Sequence, residues 1–266
     1  MISVDKLCIV WINGLFTLFG KGINLYTPVD KFINVNKCML TERLKCIASL
    51  VKCDTAADIG TDHAYIPIEL VKSERAKKVI ASDVREGPIK IAAANISKYG
   101  LTDKIETRLG SGLSVLKKGE ADNIIIAGMG GELICEIIKK DMETARAAKL
   151  ILQPMNYQYE LRKYLIENDF TIETEDIACE GHRVYNILVV KNGRQKKYEN
   201  DIEYHFPTFL LKNKNFKFLY EKKEREFKKI ITGIEISKNY DKEKLNYYKE
   251  CLEQLKKYRK DLTEKW

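Results

Sequence analysis

The segment 58–65 combines a glycine with the acidic, imidazole and phenol side chains that bind nucleosides or assist group transfer. It reads Asp58-Ile59-Gly60-Thr61-Asp62-His63-Ala64-Tyr65. A glycine at the end of a strand lets a ligand approach the backbone, and the N-terminus of the next helix presents free N–H groups. The segment lacks the full G-x-G-x-x-G fingerprint of a diphosphate cradle. Taken alone, a D-x-G segment is a weak indication of a cofactor site.

Three further segments place special residues where we predict strands to end. Asp83 lies 23 residues after Gly60, where a carboxylate can accept hydrogen bonds from ribose hydroxyls. The alternative for Asp83 is a helix cap before Gly87-Pro88. The other two segments are rich in glycine and read Gly110-Ser111-Gly112 and Ala127-Gly128-Met129-Gly130-Gly131. Tight turns could explain either glycine-rich segment alone, whereas special residues in all four loops together predict one crevice at the carboxyl ends of parallel strands.

Helices and strands alternate along the part of the chain that carries these loops. Apolar runs predict strands at 55–60, 78–83, 105–110, 123–128 and 149–154. Amphipathic or capped segments predict a helix opening at Thr41 and helices at 64–72, 88–99 and 157–168. Continuous apolar strands joined by helices indicate an α/β fold with a parallel sheet that is covered on both faces.

The last two predicted strands, 170–178 and 183–190, are separated by only four residues. Such a short link makes an antiparallel hairpin, because a parallel crossover needs a dozen or more residues. A Rossmann-like parallel sheet with one terminal antiparallel hairpin is typical of class I methyltransferases. The hairpin and the missing glycines together disfavour an NAD-dependent oxidoreductase.

The net charge of +8 lies in the last part of the chain. Residues 191–266 carry 21 Lys and Arg against 13 Asp and Glu, whereas residues 1–190 have no net charge. One helical face carries Phe216, Tyr220, Phe227, Ile230 and Ile234, and a heptad pattern joins Leu245, Tyr248, Leu252, Leu255 and Leu262. We predict two antiparallel helices in a short coiled-coil hairpin, with Arg259 in one core position. Its charge indicates either a polyanion-binding surface or a solvated Lys-rich face.

Cysteine and histidine usage indicates neither a disulfide framework nor a metal site. The seven cysteines contain no C-x-x-C, and the three histidines show no ligand spacing. We therefore expect reduced thiols, a cytoplasmic location and no metal. The apolar run Leu7–Phe19 is shorter than a membrane span and lacks a convincing signal-peptide cleavage site. We expect no membrane association, and we interpret residues 1–38 as a non-native extension before a start at Met39.

The chain resembles the bacterial tRNA (adenine(22)-N1)-methyltransferases, the TrmK family. The matching segments run in order over about residues 39–190, and they are Leu40-Thr-Glu-Arg-Leu, Ala57-Asp-Ile-Gly-Thr-Asp-His-Ala-Tyr, Ala81-Ser-Asp83, Gly87-Pro88, Lys104-Ile-Glu-Thr-Arg-Leu-Gly, Ala127-Gly-Met-Gly-Gly and Leu150-Ile-Leu-Gln-Pro. The resemblance implies an S-adenosylmethionine-binding methyltransferase domain over 39–192 and a basic coiled-coil tRNA-binding domain over 193–266. It implies S-adenosylmethionine as methyl donor and a structured tRNA as acceptor.

We expect the cofactor to contact the four loops. The predicted cofactor-binding residues are Asp58, Gly60, Thr61, Asp83, Val84, Gly110, Ser111, Gly112, Gly128 and Met129. Ser111 departs from the family, which usually has Asp there to hold the adenine amino group. A serine cannot make a charge-assisted hydrogen bond, so we expect the affinity for the cofactor to fall by roughly 1 kcal/mol.

We assign the chemistry of transfer to three neighbouring side chains. Asp62 would stabilise the charge that develops on the adenine ring, His63 would support it, and Tyr65 would stack on or orient the base. Each has a structural alternative: Asp62 as a helix cap, His63 as a surface residue, Tyr65 as core. The segment Gln153-Pro154-Met155-Asn156 is a weaker candidate for contacting the base.

The predicted phosphate contacts lie in the basic tail. They are Lys222, Lys223, Lys228, Lys229, Lys256, Lys257 and Arg259. Two other functions stay open from the residues alone. A small-molecule methyltransferase would not need the basic tail, and an RNA-binding module with a vestigial nucleotide fold would be consistent with Ser111. We expect a monomer.

Overall fold

The computed structural model describes residues 8–12, 15–20, 23–26, 40–237 and 240–263, with side chains for 40–237 and 240–258. The chain divides into two compact units, Met1–Met39 and Leu40–Trp266. In the first unit, β1 (Cys8–Ile12), β2 (Leu15–Gly20) and β3 (Ile23–Tyr26) form an antiparallel meander. The expected start at Met39 lies outside the described residues.

The second unit is built on a seven-stranded sheet. Its strands are β4 (Cys53–Ile59), β5 (Ala76–Asp83), β6 (Ile105–Leu109), β7 (Asn123–Met129), β8 (Lys149–Pro154), β9 (Phe170–Glu180) and β10 (Arg183–Asn192). Their order is β6-β5-β4-β7-β8-β10-β9. The strands from β6 to β8 pair in parallel, and β10 pairs antiparallel with both β8 and β9. The predicted parallel sheet with a terminal antiparallel hairpin is confirmed.

Four of the six helices before and between the strands lie close to their predicted positions, whereas no helix was predicted within residues 131–146. The six are α1 (Glu42–Ser49), α2 (Tyr65–Lys72), α3 (Glu86–Lys98), α4 (Gly131–Lys140), α5 (Met142–Arg146) and α6 (Gln158–Glu167). Thr41 caps α1 by accepting a hydrogen bond from the Leu44 amide. Gly100 follows α3 with a φ of 66°, the left-handed conformation that glycine favours.

Apolar side chains alternate between the two faces of the sheet and build two cores. Along β7, Ile124 and Ile126 face one core, whereas Ile125 faces the other. All three are 1% exposed or less, as expected for a central strand that is covered on both faces. Because these strands are fixed on both sides, the loops at their carboxyl ends are held in a defined arrangement.

The C-terminal helices pack against the sheet as well as against each other. They are α7 (Ile202–His205), α8 (Phe216–Glu235) and α9 (Lys242–Thr263). The buried face of α8 carries Phe216 and Phe227 and shares a core with Ile177 of β9 and Val184 of β10. The expected pair of helices is present, but the apolar face of α8 packs against the hairpin as well as against α9. The division at residue 192 stays a prediction.

A buried ion pair ties this region to the sheet. Arg162 of α6 donates to both carboxylate oxygens of Glu175 at 2.7 Å, and both side chains are fully buried. Its Nη1 also donates to the backbone carbonyls of Tyr204 and His205 in α7, at 2.8 and 3.1 Å. The guanidinium therefore connects α6, β9 and α7 in one hydrogen-bonded network. No helix in the described part of the chain has the length and apolar character needed to cross a membrane.

Candidate active site

The four predicted loops meet at one cavity, of about 730 Å³, at the carboxyl ends of β4, β5, β6 and β7. Every predicted cofactor-binding and catalytic residue lines it: Asp58, Gly60, Thr61, Asp62, His63, Tyr65, Asp83, Val84, Gly110, Ser111, Gly112, Gly128 and Met129. The volume lies within the range of about 300–1,000 Å³ that is typical of small-molecule sites. The parallel sheet thus brings loops that are far apart in the sequence together around one pocket.

Both the backbone conformation at position 60 and the limited space for a side chain there favour glycine. Its φ is 80°, and a Cβ at this position would lie 2.3 Å from Cε of Met129. Any side chain here would force the flexible end of Met129 to move, and it would occupy space in the cavity between β4 and β7. The bare backbone leaves an edge against which a nucleoside can lie.

Two buried carboxylates face the cavity from neighbouring strands. Asp58 is 4% exposed, and its Oδ2 accepts a hydrogen bond from Oγ1 of Thr61 at 2.7 Å. Asp83 is 6% exposed, and its Oδ1 accepts from the Arg85 amide at 3.0 Å. Asp83 does not cap α3, whose first residues receive no side-chain cap. Its Oδ2 has no partner among the described residues and is available to a ribose hydroxyl.

Burial changes the acidity of Asp58. The pKa of its carboxyl is raised to about 6, mainly because burial removes hydration; the Thr61 hydrogen bond opposes this rise, and the nearby Asp83 adds to it. A cationic ligand would compensate both the burial and the repulsion between the two acids. The acids therefore fit a positively charged nucleoside such as S-adenosyl-L-methionine.

The side chains of Asp62, His63 and Tyr65 form a continuous group at the rim. Oδ2 of Asp62 lies 3.4 Å from Nε2 of His63, and the rings of His63 and Tyr65 stack with centroids 5.2 Å apart. Asp62 does not cap α2, since the cap position is Ala64 and no side chain bonds there. Tyr65 is 38% exposed, so it is not a core residue. The structural alternatives for Asp62 and Tyr65 are therefore wrong.

The backbone of this segment is held in an uncommon conformation. Asp62 and Ala64 have φ values of 51° and 57°, in the left-handed region that non-glycine residues rarely adopt. The side-chain Nδ2 of Asn95, on α3, donates to the His63 carbonyl at 3.0 Å and fixes the segment. Strain of this kind clusters where side chains must point in a particular direction for function.

Arg43 also lines the cavity, and sequence reasoning did not select it. Its Nη1 donates at 2.8 Å to Oε1 of Gln153, which also accepts from the Gly128 amide at 3.2 Å. Gln153 is fully buried, so this network fixes the loop after β7. The match at Leu40-Thr-Glu-Arg-Leu was the only signal in the sequence, and it gave no role for the arginine.

The predicted phosphate contacts in the tail are not equivalent. Lys229 and Lys257 are exposed, and neither forms an ion pair with any residue that the structure describes. Lys228 and Lys256 pair with Glu224 and Glu253 of their own helices. The side chain of Arg259 lies outside the described side chains.

Two of the lysines that were predicted to contact phosphate are buried or partly buried. Lys223 is 5% exposed and pairs with Glu226 at 2.8 Å, so the prediction that it contacts phosphate is wrong for this structure. Its position on the apolar face of α8 explains the burial. Lys222 is partly buried, and its Nζ donates to the Val184 carbonyl at 3.0 Å.

Comparison with known proteins agrees with this geometry. A family model described as a methyltransferase domain matches residues 40–188. The tRNA (adenine(22)-N(1))-methyltransferase of Bacillus subtilis is 37% identical over 192 residues, which cover 70% of this chain and 80% of the relative.

Solved structures match over most of the chain. The B. subtilis M1A22 tRNA methyltransferase TrmK has a TM-score of 0.74 at 31% identity, covering 84% of this chain and 99% of its own. A Streptococcus pneumoniae protein in complex with S-adenosyl-L-methionine has a TM-score of 0.73 at 33% identity, covering 83% and 99%. TrmK of M. capricolum, in complex with S-adenosyl-homocysteine, has a TM-score of 0.71 at 28% identity, covering 83% and 97%.

The family model spans the loops that line the cavity, and each of these solved structures covers more than four fifths of the chain. Together with the buried acids and the open backbone at Gly60, they identify the chain as a member of the tRNA (adenine(22)-N(1))-methyltransferase family.

Proposed function

We propose that the chain transfers a methyl group from S-adenosyl-L-methionine to N1 of adenine 22 in tRNA. The observation that carries the proposal is the single cavity in which the cofactor loops and the group Asp62, His63 and Tyr65 meet. The family relationship supplies the position of the adenine, because the B. subtilis relative bears that activity in its name.

The residues around the cavity fit the cofactor. Asp83 would accept hydrogen bonds from the ribose, Asp58 would face the positive charge, and the Gly110–Gly112 loop would lie along the base. When bound, S-adenosyl-L-methionine supplies a methyl group that is already activated on a sulfonium centre. The protein therefore contributes mainly alignment and proximity.

The acceptor adenine needs no base to remove a proton before it reacts. Its N1 has a lone pair, but duplex pairing occupies that atom, so the nucleotide must be unpaired or extruded. Asp62 would accept a hydrogen bond from the exocyclic amine and stabilise the positive charge that develops on the ring. His63 holds the Asp62 carboxylate, and Tyr65 extends the stacked surface on which a base can lie.

The tRNA body would lie across the basic helical region, with Lys229 and Lys257 as phosphate contacts. This arrangement distinguishes a tRNA enzyme from a small-molecule methyltransferase, which has no use for such a surface. We place the protein in the cytoplasm, where tRNA is used, and we expect it to act as a monomer.

The proposal is tested with labelled S-adenosyl-L-methionine and an unmodified tRNA transcript. We expect one methyl group per tRNA, mapped by mass spectrometry to N1 of adenine 22. A transcript with guanine at position 22 is the matched control and should take up no label. Equal labelling of both transcripts, or none of either, would contradict the proposal.

A further inference from the structure

A second crevice, of about 360 Å³, lies between the start of α6 and the face of α8. Its walls include Met155, Asn156, Tyr157, Gln158, Lys222 and Ile230. None of these residues lines the cofactor cavity. The volume falls at the lower end of the range of about 300–1,000 Å³ for small-molecule sites.

One loop separates this crevice from the methyl-transfer cavity. The Met155 amide donates to the Met129 carbonyl at 2.8 Å, and Oδ1 of Asn156 accepts from the Gly131 amide at 3.3 Å. A Cβ on Gly131 would lie 2.7 Å from the Tyr157 carbonyl, so the two loops are in direct contact. A nucleotide in the crevice would therefore be close to one whose base enters the cavity.

The loop exposes two large side chains on a strained backbone. Met155 and Tyr157 are 46% and 44% exposed. Tyr157 has a φ of 53°, which is unusual for an aromatic residue. An exposed ring that is held in such a conformation is a candidate ligand contact rather than a packing element.

Polar atoms in the crevice are free to bind the edge of a base. Gln158 is 7% exposed and donates from Nε2 to the Pro154 carbonyl at 3.5 Å, but its Oε1 has no partner among the described residues. Nδ2 of Asn156 is likewise without one in the described part of the chain. The crevice thus offers an acceptor, a donor and an aromatic ring. Its charged lining is mixed, because Lys222 lies 4.0 Å from Glu226 and Glu160 also lines the crevice.

We propose that this crevice binds the base of an unpaired nucleotide next to the target adenine. The proposal rests on tRNA being the substrate. Extruding one base weakens the stacking of its neighbours, and proteins bind such unstacked bases on aromatic side chains with hydrogen bonds to their edges. Occupation of both pockets would hold the RNA strand at two points and align the adenine with the methyl donor.

The test measures the dissociation constant of labelled tRNA by fluorescence anisotropy. One abasic nucleotide is introduced on either side of adenine 22, and each tRNA is titrated with wild type, Ile230→Trp and Ile236→Trp. Ile230→Trp fills the crevice, whereas Ile236 is 79% exposed at the end of the same helix and does not line it. Tyr157→Gly is a second variant, since glycine accepts the local φ and removes the ring.

We expect one abasic position to weaken binding to wild type about tenfold, in line with the contribution of one stacked base. Ile230→Trp and Tyr157→Gly should bind intact tRNA about tenfold more weakly than wild type does. For these two variants, the abasic position should weaken binding little further. Ile236→Trp should match wild type. Unchanged affinity for both abasic tRNAs, or equal losses in the two tryptophan variants, would overturn the proposal.

Methyl transfer is measured separately with the same proteins. Normal methylation of adenine 22 with no effect of the abasic positions would refute the crevice and leave the proposed function intact. The expected binding pattern without any methyl transfer would refute the proposed function and support the crevice.

Discussion

Asp62 and His63 form a polar pair on strained backbone where an acceptor base would enter the cavity. Asp62 is exposed and lies apart from the buried acids Asp58 and Asp83, which face the cofactor. The two sets of carboxylates can therefore be changed independently. This separation at the residue scale makes their roles testable by substitution.

Replacing Asp62 should affect turnover and not the binding of the cofactor. We expect Asp62→Ala to lower kcat by a factor of about 10² to 10³, the usual effect of removing one group that stabilises developing charge. The dissociation constant of S-adenosyl-L-methionine, measured by calorimetry, should stay within about twofold of wild type. Near-normal kcat in the variant would remove Asp62 from the mechanism.

Asp58 should make the binding of the cofactor depend on pH. Its carboxyl loses a proton only as the pH rises through about 6, and only the ionised form attracts a cation. Affinity should therefore increase between about pH 5 and pH 7. In the free protein the same raised pKa favours folding below the ordinary value of 3.8, and this contribution is lost as the pH rises through about 6.

The pH profile is checked by calorimetry on wild type, Asp58→Asn and Asp54→Asn. Asp58→Asn should bind the cofactor with an affinity that hardly changes with pH. Asp54 is an exposed acid near the start of β4, outside the cavity, and its replacement should leave the profile as in wild type. Identical profiles in all three proteins would exclude Asp58 as the titrating group.

At the scale of elements, α6, β9 and α7 are joined by the ion pair of Arg162 and Glu175. The pair is fully buried and also satisfies two carbonyls of α7. Removing one partner would leave the other charged and buried. The helical region is thus attached to the sheet by a contact that tolerates little change.

We expect Arg162→Ala to lower the free energy of unfolding by about 3–5 kcal/mol, the range for breaking a buried ion pair. Arg194→Ala is the matched control, because Arg194 pairs with Asp169 at 3.1 Å on the surface. An exposed pair contributes about 0–1 kcal/mol. Urea unfolding measures both, and equal losses would show that the buried network has no special role.

The strands and the cavity could be predicted because apolar runs and glycine positions are local in the sequence. The role of Arg43 could not, since it depends on Gln153, which lies 110 residues away and is brought near by β8. The burial of Lys223 was missed because the apolar face of α8 packs against the hairpin as well as against α9. The role of Arg43 and the burial of Lys223 both depend on contacts between elements that are far apart in the sequence.

At the scale of the whole molecule, an acid-lined cavity for the cofactor is joined to a basic helical region in one compact unit. The separation of charge suits a cationic nucleoside in the cavity and a polyanion on the helices. Exposed lysines that form no ion pair with a described residue should dominate the attraction for the polyanion.

Substituting such lysines should weaken the dependence of tRNA binding on salt. We expect Lys229→Ala and Lys257→Ala each to reduce the slope of log K against log salt by about 1. Lys77→Ala should leave the slope unchanged. Lys77 lies near the start of β5, at the amino ends of the parallel strands, and the cavity lies at their carboxyl ends. The slopes are measured by anisotropy over a salt series, and equal slopes in all variants would place the tRNA elsewhere.

The central claim is that the cavity beside Gly60 holds the cofactor, and calorimetric titration with S-adenosyl-L-methionine tests it most directly. Wild type should bind one molecule per chain. Gly60→Ala should weaken binding, because its Cβ would displace Cε of Met129, which lines the cavity, whereas Gly119→Ala, at a φ of 75° with open space around it, should bind as wild type does. Thermal melts control for folding. Equal binding by the two alanine variants would contradict the account.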